Sequence, residues 1–526
     1  MKALRKLALF ALSVSVLQQA QQPQPAPYRS GLTLLDAIEA TLLHHPLIRS
    51  QQAQVQISHG LLLQAAGPFD SLITSGFSSD RASTPLTSLQ QQENASAGIL
   101  TAGQISNSTS YGVGVQRLFR NGISIGPQFQ LGRTTDNIFE SGGVNTSALS
   151  FGVIFPLMKG RGRAAVDAQE LAAKTEVDAT LLDLNQLISQ LMANTAFDYW
   201  NLVAAQKNLS IAQENEDRGK TYLNNVQALV DADHVPRNDL HEVVANLAQR
   251  SSTRLAAEQQ VLVAQQQLAF DMGTSADQII TYLPLPADDF PIAENQELPA
   301  DTASCMDYYA EEALRRRPDY IASQARYEEN RTLLTAARNR LLPQIDLNFA
   351  AGYSGLKEGR QFSNFLSSSY LGVPGPNATA GISYSFPPNN QLARGSVMQS
   401  EGLVTQAEIQ SRQLARSINS SVLVALNALR SAILRARTAN QSVQSFQSAL
   451  AGEREKYAGG IGSIVNILQI EDRLTAAQSD LVQSELAYAL ALTQFRFATG
   501  TLVRAGQPFQ NVPADTFLTL PFSCTR

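Results

Sequence analysis

The chain carries one pattern of secondary structure twice, first in residues 33–273 and again in residues 304–500. Each copy has a helix, alternating strands, a long helix, a sharp turn and a second helix. A repeated unit limits the fold more than any single motif does, and duplicated units of this kind build walls or rings. Residues 274–303 are proline-rich and acidic, which predicts a linker, and residues 501–526 form a tail.

Residues at matching positions align the two copies. Asp239 and Asn466 differ by 227 positions, and so do Gly273 and Gly500. Each copy also has a proline early in its first helix and a Phe-Pro pair where its strands end. These pairs are His45-Pro46 with Arg317-Pro318, and Phe155-Pro156 with Phe386-Pro387.

The amino terminus predicts export. Residues 1–20 combine a basic start, an apolar run at 7–17 and Ala20, which is the pattern of a signal peptide. That run is too short to span a bilayer, and no later stretch approaches the length of a transmembrane helix. If this chain crosses a membrane, we therefore expect strands to cross it. The net charge of −5 gives no reason to expect a nucleic acid partner.

The strand segments alternate cleanly between apolar and small or polar residues. In the first copy the apolar positions include Tyr111, Val113 and Val115, followed after the tight-turn pair Asn121-Gly122 by Phe129 and Leu131. The strand segments within 69–156 and 344–387 follow the same rule, and residues 69–81 follow it more loosely. Such alternation fits a transmembrane barrel, and it equally fits a soluble sandwich.

The helices favour the transmembrane barrel over the soluble sandwich. Residues 164–230 and 391–457 predict two long helices, and residues 237–272 and 463–499 predict their shorter partners. Leucine and aromatic residues seven apart, such as Leu474 and Leu481, are typical of coiled-coil packing. A solvated coiled-coil stalk without a channel is the alternative, but it leaves the alternating strands unexplained.

The segment 197–206, Phe-Asp-Tyr-Trp-Asn-Leu-Val-Ala-Ala-Gln, the two Phe-Pro strand endings and the turn at 457–468 resemble the TolC-like outer membrane efflux proteins. The resemblance implies a mixed α and β membrane protein: a trimeric transmembrane β-barrel continued by a long periplasmic α-helical coiled-coil tunnel. It also implies a location in the cell outer membrane with a periplasmic extension. The family ordinarily contributes four strands per chain to a twelve-stranded barrel.

The first copy departs from that pattern. Between Pro68 and Pro156 there is room for four strands where the family has two, and the added pair is the hairpin centred on Asn121-Gly122. Two outcomes are consistent with this insertion. Either the barrel is wider, or the added hairpin lies outside the membrane.

The resemblance implies that the turns between long and short helices contact a periplasmic adaptor. The expected adaptor-contacting residues are Asp231, Asp233, Val235, Pro236, Gly459, Gly460 and Ser463. In the family, a tyrosine, an arginine and carboxylates form a gate near the second turn, and those positions fall here on Tyr457, Gly462, Asn466 and Gln469. This gate carries less charge, so we expect weaker cation preference and weaker cation block unless Asp231, Asp233, Glu471 or Asp472 faces the lumen.

The two cysteines, Cys305 and Cys524, could form a disulfide in an oxidising compartment or remain isolated thiols. The sequence contains no catalytic or metal-binding motif, and we expect no enzyme activity, no cofactor and no metal.

The function that fits best is a passive outer membrane duct in a tripartite export system, with a periplasmic adaptor and an inner-membrane pump as partners and outer membrane lipid around the homotrimer. Alternatives are a duct for type I protein secretion and a periplasmic coiled-coil interaction protein without a channel.

Overall fold

The structure is a computed structural model that describes residues 31–138, 142–232, 237–275, 283–292, 302–459, 461, 464–503 and 516–520. The predicted signal peptide at residues 1–20 lies outside the described residues. The helices are α1 Leu34–His44, α2 Pro46–Ala66, α3 Ser88–Ser96, α4 Arg163–Val166, α5 Ala168–Asp231, α6 Arg237–Asp271, α7 Thr302–Arg316, α8 Pro318–Asn339, α9 Phe362–Ser367, α10 Gln391–Ala458 and α11 Ile464–Ala498. The strands are β1 Ser71–Pro85, β2 Gly103–Leu118, β3 Ser124–Asp136, β4 Val144–Pro156, β5 Gln344–Glu358 and β6 Val373–Ser385.

The chain divides into two compact units. The helical unit takes in Met1–Ser50, Asn185–Arg317 and Ile418–Arg526, and the sheet unit takes in Gln51–Leu184 and Pro318–Ser417. Both copies of the repeated pattern contribute to each unit. The duplication therefore does not correspond to a division of the chain into two successive domains.

The sheet unit contains one antiparallel sheet of six strands in the order of the sequence. Its register places apolar residues opposite apolar residues across successive strands, as in the pairs Val113 with Phe129 and Phe129 with Leu149. The residues that alternate with them, such as Gln128 and Gln130, are polar or glycine and share the opposite face. Four strands come from the first copy and two from the second, so the hairpin around Asn121-Gly122 is part of the sheet.

A short helix lies against one end of this sheet. Helix α9 sits beside β3, β4 and β5, and the Lys357 ammonium donates a hydrogen bond to the Ser367 hydroxyl at 3.0 Å. Asn145 and Ser147 are buried there, and the Asn145 amide donates to the Lys357 carbonyl at 3.0 Å. The central apolar positions of the same sheet are less covered, since Leu149 is 54% exposed and Ile382 is 72% exposed.

The core of the helical unit contains large aromatic residues. Tyr199, Trp200 and Tyr488 have no exposed surface, and the Tyr309 ring meets Phe495 edge to face at 5.2 Å. The Tyr199 hydroxyl donates at 3.0 Å to the Leu32 carbonyl or to the Asp288 carboxylate and accepts the Asp288 amide at 3.1 Å. The described part of the predicted linker is thereby attached to α5.

Two glycines close the shorter helices in the same way. Gly273 and Gly500 follow α6 and α11 with φ angles of 73° and 65°, a conformation that glycine adopts without steric cost. A Cβ on Gly273 would lie 2.8 Å from the His44 carbonyl carbon, and a Cβ on Gly500 would lie 3.1 Å from the Arg316 carbonyl carbon. Gly273 therefore contacts the chain just before Pro46, the first residue of α2, and Gly500 contacts the chain just before Pro318, the first residue of α8.

Two sequence expectations need correction. The long helix of the first copy begins at Ala168 rather than at residue 164, because a separate short helix, Arg163–Val166, comes first and the backbone leaves helical geometry at Asp167, with φ −94° and ψ 8°. In addition, the helix Gln391–Tyr457 is long and apolar enough to span a membrane by length and composition, although no such stretch was expected. Its apolar residues Ile418, Val422 and Leu429 are buried in the helical unit, and 39% of the apolar window is buried.

We expect Gly273→Ala to destabilise the protein by about 1–3 kcal/mol, because alanine is strained at positive φ and its methyl group would meet the His44 backbone. Thermal unfolding followed by circular dichroism measures this effect. The control is Gly452→Ala in α10, where a Cβ meets nothing within 4 Å. That substitution should be neutral or stabilising by up to about 1 kcal/mol. Equal behaviour of the two variants would contradict the assignment.

Candidate functional site at the helix ends

Four helix ends lie in the helical unit at the positions where the sequence predicts the adaptor-contacting turns. Helix α5 ends at Asp231, α6 begins at Arg237, α10 ends at Ala458 and α11 begins at Ile464. Two apolar clusters hold these helices together, and the side chains of Tyr222 and Ile464 pack against both. The buried members are Val443, Leu450, Ile467, Leu474 and Ala477 in one cluster, and Val226, Val230, Val243 and Leu468 in the other.

The structure describes only part of the predicted turns. Asp231 is exposed, and its carboxylate accepts a hydrogen bond from the Gln227 amide at 3.0 Å. Gly459 is exposed, and its amide donates to the Glu455 carbonyl at 3.0 Å. Six further predicted turn and gate residues lie outside the described residues. They are Asp233, Val235, Pro236, Gly460, Gly462 and Ser463.

The remaining predicted gate residues are on the surface of the helical unit. Tyr457 is 37% exposed, and Asn466 and Gln469 are exposed on the first turns of α11. The Asn466 amide donates to the Glu453 carboxylate at 3.3 Å, across from α11 to α10. These three side chains are therefore available to line a constriction, and their role as a gate stays a prediction.

A buried ionic network lies two turns along α11 from that end. The Glu471 side chain is fully buried, and one of its oxygens accepts the Tyr222 hydroxyl at 2.6 Å and the Arg454 guanidinium at 2.8 Å. Its other oxygen lies 3.6 Å from the guanidinium of Arg250, which is 3% exposed. Because the partners come from α5, α6 and α10, one carboxylate joins all four helices.

Arg250 has further partners that fix its position. One guanidinium nitrogen donates to the Asn215 carbonyl at 3.1 Å and the other donates to the Asp472 carboxylate at 3.1 Å. Gly219 provides the space, because a Cβ there would lie 3.1 Å from the Arg250 Cδ. Gly219, the one glycine of α5, thus lets the arginine side chain pass close to the α5 backbone.

The environment strengthens these hydrogen bonds. Burial, and then the hydrogen bond to the Glu471 carboxylate, raises the pKa of the Tyr222 hydroxyl, so it remains a donor at neutral pH. Burial alone would lower the pKa of Arg454, but its hydrogen bonds to Glu471 and Tyr222 outweigh that effect and raise the pKa. The Glu471 carboxylate thus accepts charge-assisted hydrogen bonds from Tyr222 and Arg454, while Arg250 at 3.6 Å contributes its charge without a hydrogen bond.

A second ionic cluster lies beside the first. Glu216 accepts the Ser251 hydroxyl at 2.6 Å and pairs with Arg254 at 2.8 Å. The Ser251 hydrogen bond, together with Lys220 and Arg254, lowers the pKa of the Glu216 carboxyl. A cleft of about 410 Å³ opens next to the first network, lined by Glu214, Asp217, Arg218, Thr221, Tyr222 and Arg454.

These contacts bear on the charge of the predicted gate. Glu471 is an interior residue paired with arginine, so it is not a free lumen charge within this chain. Asp472 is 51% exposed and bonded to Arg250. Of the four acids that could have raised cation preference, Asp233 lies outside the described residues. Among the three described acids, the exposed Asp231 is the one that forms no ion pair here.

Sequence reasoning named Glu471 only as a possible lumen charge and missed the network. A signal was present, because Glu471 follows Ile467 by four residues and precedes Leu474 by three, which places it on the apolar stripe of α11. A carboxylate on a buried stripe requires a buried partner. The sequence does not show which residues pair with Glu471, because Arg250 and Tyr222 lie more than 200 residues away from it.

Elsewhere in the helical unit, two carboxyl groups share a site. Burial, and then the hydrogen bond and negative charge of Asp271, raises the pKa of Asp198 to about 7. Burial lowers the pKa of the neighbouring His45, and the charge of Asp271 opposes this shift. The Asp198 carboxyl therefore titrates near neutral pH.

Cys305 is buried and disulfide-bonded, while Cys524 lies outside the described residues, so the pairing of these two cysteines stays a prediction. Across the described ranges, no three His, Cys, Asp or Glu side chains are grouped in a way that could hold a metal ion.

The long paired helices, the antiparallel sheet with one apolar face and the joined helix ends define the fold of an outer membrane efflux channel. Residues 309–501 match the family model described as outer membrane efflux protein. The chain is therefore similar to the TolC-like outer membrane efflux proteins, and the members of that family are outer membrane channels and not enzymes.

Individual relatives agree with this placement. The chain is 26% identical over 352 residues to the pyoverdine export outer membrane protein OpmQ of Pseudomonas putida, covering 64% of this chain and 67% of that protein. It is 23% identical over 389 residues to the outer membrane protein TolC of Escherichia coli, covering 71% and 74%. Among solved structures, the Campylobacter jejuni CmeC channel superposes with a TM-score of 0.64 at 15% identity, covering 93% of this chain and 89% of that one. The OprN channel superposes with a TM-score of 0.62 at 17% identity, covering 91% of each.

We expect Glu471→Gln to lower the free energy of unfolding by about 3–5 kcal/mol, because it leaves the buried Arg250 guanidinium without its interior counter-charge. Tyr222→Phe should cost less, about 1–2 kcal/mol, since it removes one hydrogen bond. Thermal unfolding in detergent measures both. Glu455→Gln, on the exposed surface of α10, is the matched control and should change the free energy by less than about 0.5 kcal/mol. A Glu471→Gln variant as stable as that control would contradict the network.

Asp198→Asn should flatten the dependence of stability on pH. The folded-state pKa of about 7 exceeds the ordinary value of 3.8, so this group favours folding fully below about pH 4. That contribution declines as the pH rises and is lost above pH 7. The pKa of Glu329 is also raised to about 7, mainly by burial, and adds a decline of the same sign. Melting temperatures measured between pH 4 and 8 should therefore fall less steeply in Asp198→Asn, and an unchanged slope would contradict the assignment.

Proposed function

We propose that the protein is a passive outer membrane duct of a tripartite export system, assembled as a homotrimer. Three sheets would close a transmembrane barrel, and the helices would continue it as a periplasmic tunnel. An inner-membrane pump would supply the energy, and a periplasmic adaptor would bind the turns at the helix ends. The chain itself would contribute a path and a gate.

The observation that carries this proposal is the two-faced sheet. One face is apolar and remains exposed at its centre, with Leu149 54%, Phe349 50% and Ile382 72% exposed, while the other face holds polar residues and glycines. A soluble sandwich would cover its apolar face with a second layer. An apolar face toward lipid and a polar face toward water are what a water-filled barrel needs.

The ionic network supports a gate at the helix ends. Glu471 joins α5, α6, α10 and α11, and these helices also share the two apolar clusters at that end. We propose that the network holds the four helices in one arrangement and that Tyr457, Gly462, Asn466 and Gln469 line the constriction. Breaking the network would favour another arrangement of the helix ends.

The adaptor contacts are proposed at the two turns. The residues are Asp231, Asp233, Val235, Pro236, Gly459, Gly460 and Ser463. Small molecules are the proposed cargo, because one relative is described as a pyoverdine export protein. A duct for type I protein secretion is the second possibility, and a periplasmic interaction protein without a channel is the third.

Single-channel recording of the purified protein in planar bilayers tests the duct and the gate together. We expect discrete openings with weak cation preference in the wild type, and a stronger cation preference in Asn466→Asp, because three copies would add a ring of negative charge. The matched control is Asn440→Asp, which places the same charge on α10 away from the helix end. Equal selectivity of the two variants would remove Asn466 from the gate. Protein that stays soluble without detergent and never conducts would support the interaction protein instead.

A further inference from the structure

We propose that the added hairpin β2–β3 is a membrane-spanning part of the barrel, so that three copies close a barrel of eighteen strands rather than twelve. The number follows from six strands in each of three copies. This inference rests on the trimeric duct proposed above. It concerns the width of the pore and the surface through which one copy contacts the next.

The hairpin is held in the sheet from both sides. Strand β2 pairs with β1 from Ser71 opposite Arg117 to Pro85 opposite Gly103. Strand β3 pairs with β4 from Ser124 opposite Ile154 to Thr134 opposite Val144. The hairpin therefore lies between β1 and β4 and not at an edge. Removing it from the sheet would break two full ladders of backbone hydrogen bonds, which cannot be left unpaired in lipid.

The hairpin also carries the same two faces as the other strands. On the apolar face, Val113 stands opposite Phe129 and Tyr111 stands opposite Leu131. That row continues into β1 through Phe77, which stands opposite Tyr111. It continues into β4 through Leu149 and from there into β5 through Tyr353. The opposite face of the hairpin is glycine or glutamine at positions 112, 114, 126, 128, 130 and 132.

The apolar band continues in register from strand to strand. In β4 the apolar positions run from Leu149 to Phe155, which is six rises or about 20 Å along the strand at roughly 3.3 Å per residue. At the strand tilt of about 40° that is typical of outer membrane barrels, this run covers about 15 Å of a lipid-facing band about 25 Å tall. Polar residues end the band on one side of the hairpin, where Arg133 stands opposite Thr109 and Asn145. A hairpin built for water would have no reason to repeat this band in register with its neighbours.

The two outer strands define the surface between copies. In the described chain β1 pairs with β2 alone and β6 pairs with β5 alone, so each leaves one row of backbone groups unpaired. Strand direction alternates through all six strands, so β6 runs opposite to β1 and can pair with β1 of the next copy in the antiparallel manner. A second copy of this chain is therefore the partner of both edges, because closure removes every edge in lipid.

The added hairpin has a consequence for the pore. Barrel diameter grows roughly linearly with strand number, so eighteen strands give a barrel about 1.5 times as wide as twelve and a cross-section about twice as large. The barrel would then place little restriction on cargo size. Selection would depend on the helix ends and on the pump rather than on the outer mouth.

Four single-cysteine variants, each carrying a spin label, test the inference in reconstituted membranes. Phe129→Cys and Gln130→Cys probe the two faces of β3, and Phe349→Cys and Asn348→Cys probe the same two faces of β5. The label at each apolar position should collide with dissolved oxygen in preference to an aqueous nickel chelate. The label at each polar position should show the reverse, with chelate accessibility roughly tenfold higher than at the adjacent apolar position. Cys305 does not interfere, because it is buried and disulfide-bonded.

The β5 labels are the internal control. They test whether the sheet spans the membrane at all, while the β3 labels test whether the added hairpin does. Alternation in both strands supports the eighteen-stranded barrel. Alternation in β5 with both β3 labels accessible to the chelate would place the hairpin in water and overturn the inference while leaving the duct intact. Loss of alternation in both strands would overturn the duct as well.

A cross-linking experiment tests the contact between copies. Ser78→Cys on β1 and Thr379→Cys on β6 lie at mid-strand on the polar face. With a short bis-maleimide, the double variant should give covalent dimers and trimers in denaturing gels, and a single variant carrying only one of the two cysteines should not. Alternating β3 labels without such cross-links would show that the ring does not close through β1 and β6, and would overturn the strand count.

Discussion

The register of the six-stranded sheet is the constraint on which the sheet unit depends. Side chains alternate between the two faces of a strand, so a slip of one residue would exchange the apolar and polar faces of that strand. The pairings in the central rows avoid this outcome, as when Val113 meets Phe129 and Phe129 meets Leu149. Strand β1 follows the rule less fully, because Ile73 and Phe77 alternate on that face with serines. One side of the sheet is therefore apolar through its central rows. The environment of the sheet follows from that agreement more than from any single residue.

In the helical unit, a different constraint acts at the helix ends. Four helices meet there, and apolar packing alone permits them to slide, because leucine and valine contacts are not directional. The Glu471 carboxylate adds direction, since it must face Tyr222, Arg454 and Arg250 at once. Replacing such a group by apolar residues need not reduce stability, whereas removing one partner leaves a buried charge. A buried network of this kind is therefore better suited to fixing one arrangement than to adding stability.

Much of the fold could be predicted from the sequence because its signals are periodic. The proline-free stretches predicted the bounds of the long helices and their partners within a few residues, and the pattern of two predicted the regions that hold the strands. The predicted start of α5 was wrong because the backbone leaves helical geometry at Asp167, and no glycine or proline between residues 163 and 168 marks that break in the sequence. The site was harder to predict. Asn466 and Gln469 could be aligned with a family gate, but the Glu471 network depends on tertiary contacts between distant segments.

The duplicated pattern and the added hairpin together explain why this chain can differ from the usual strand number of the TolC-like proteins without losing the fold. Gly273 and Gly500 make the same contact with the chain before Pro46 and Pro318, so the joint between helices is built twice and does not involve the sheet. An inserted pair of strands leaves this joint unchanged. The insertion also preserves the alternation of strand direction, because the second added strand brings the chain back to the end of the sheet at which the first added strand began. An insertion of one strand would reverse the direction of every later element, so a sheet of this design can grow only by pairs.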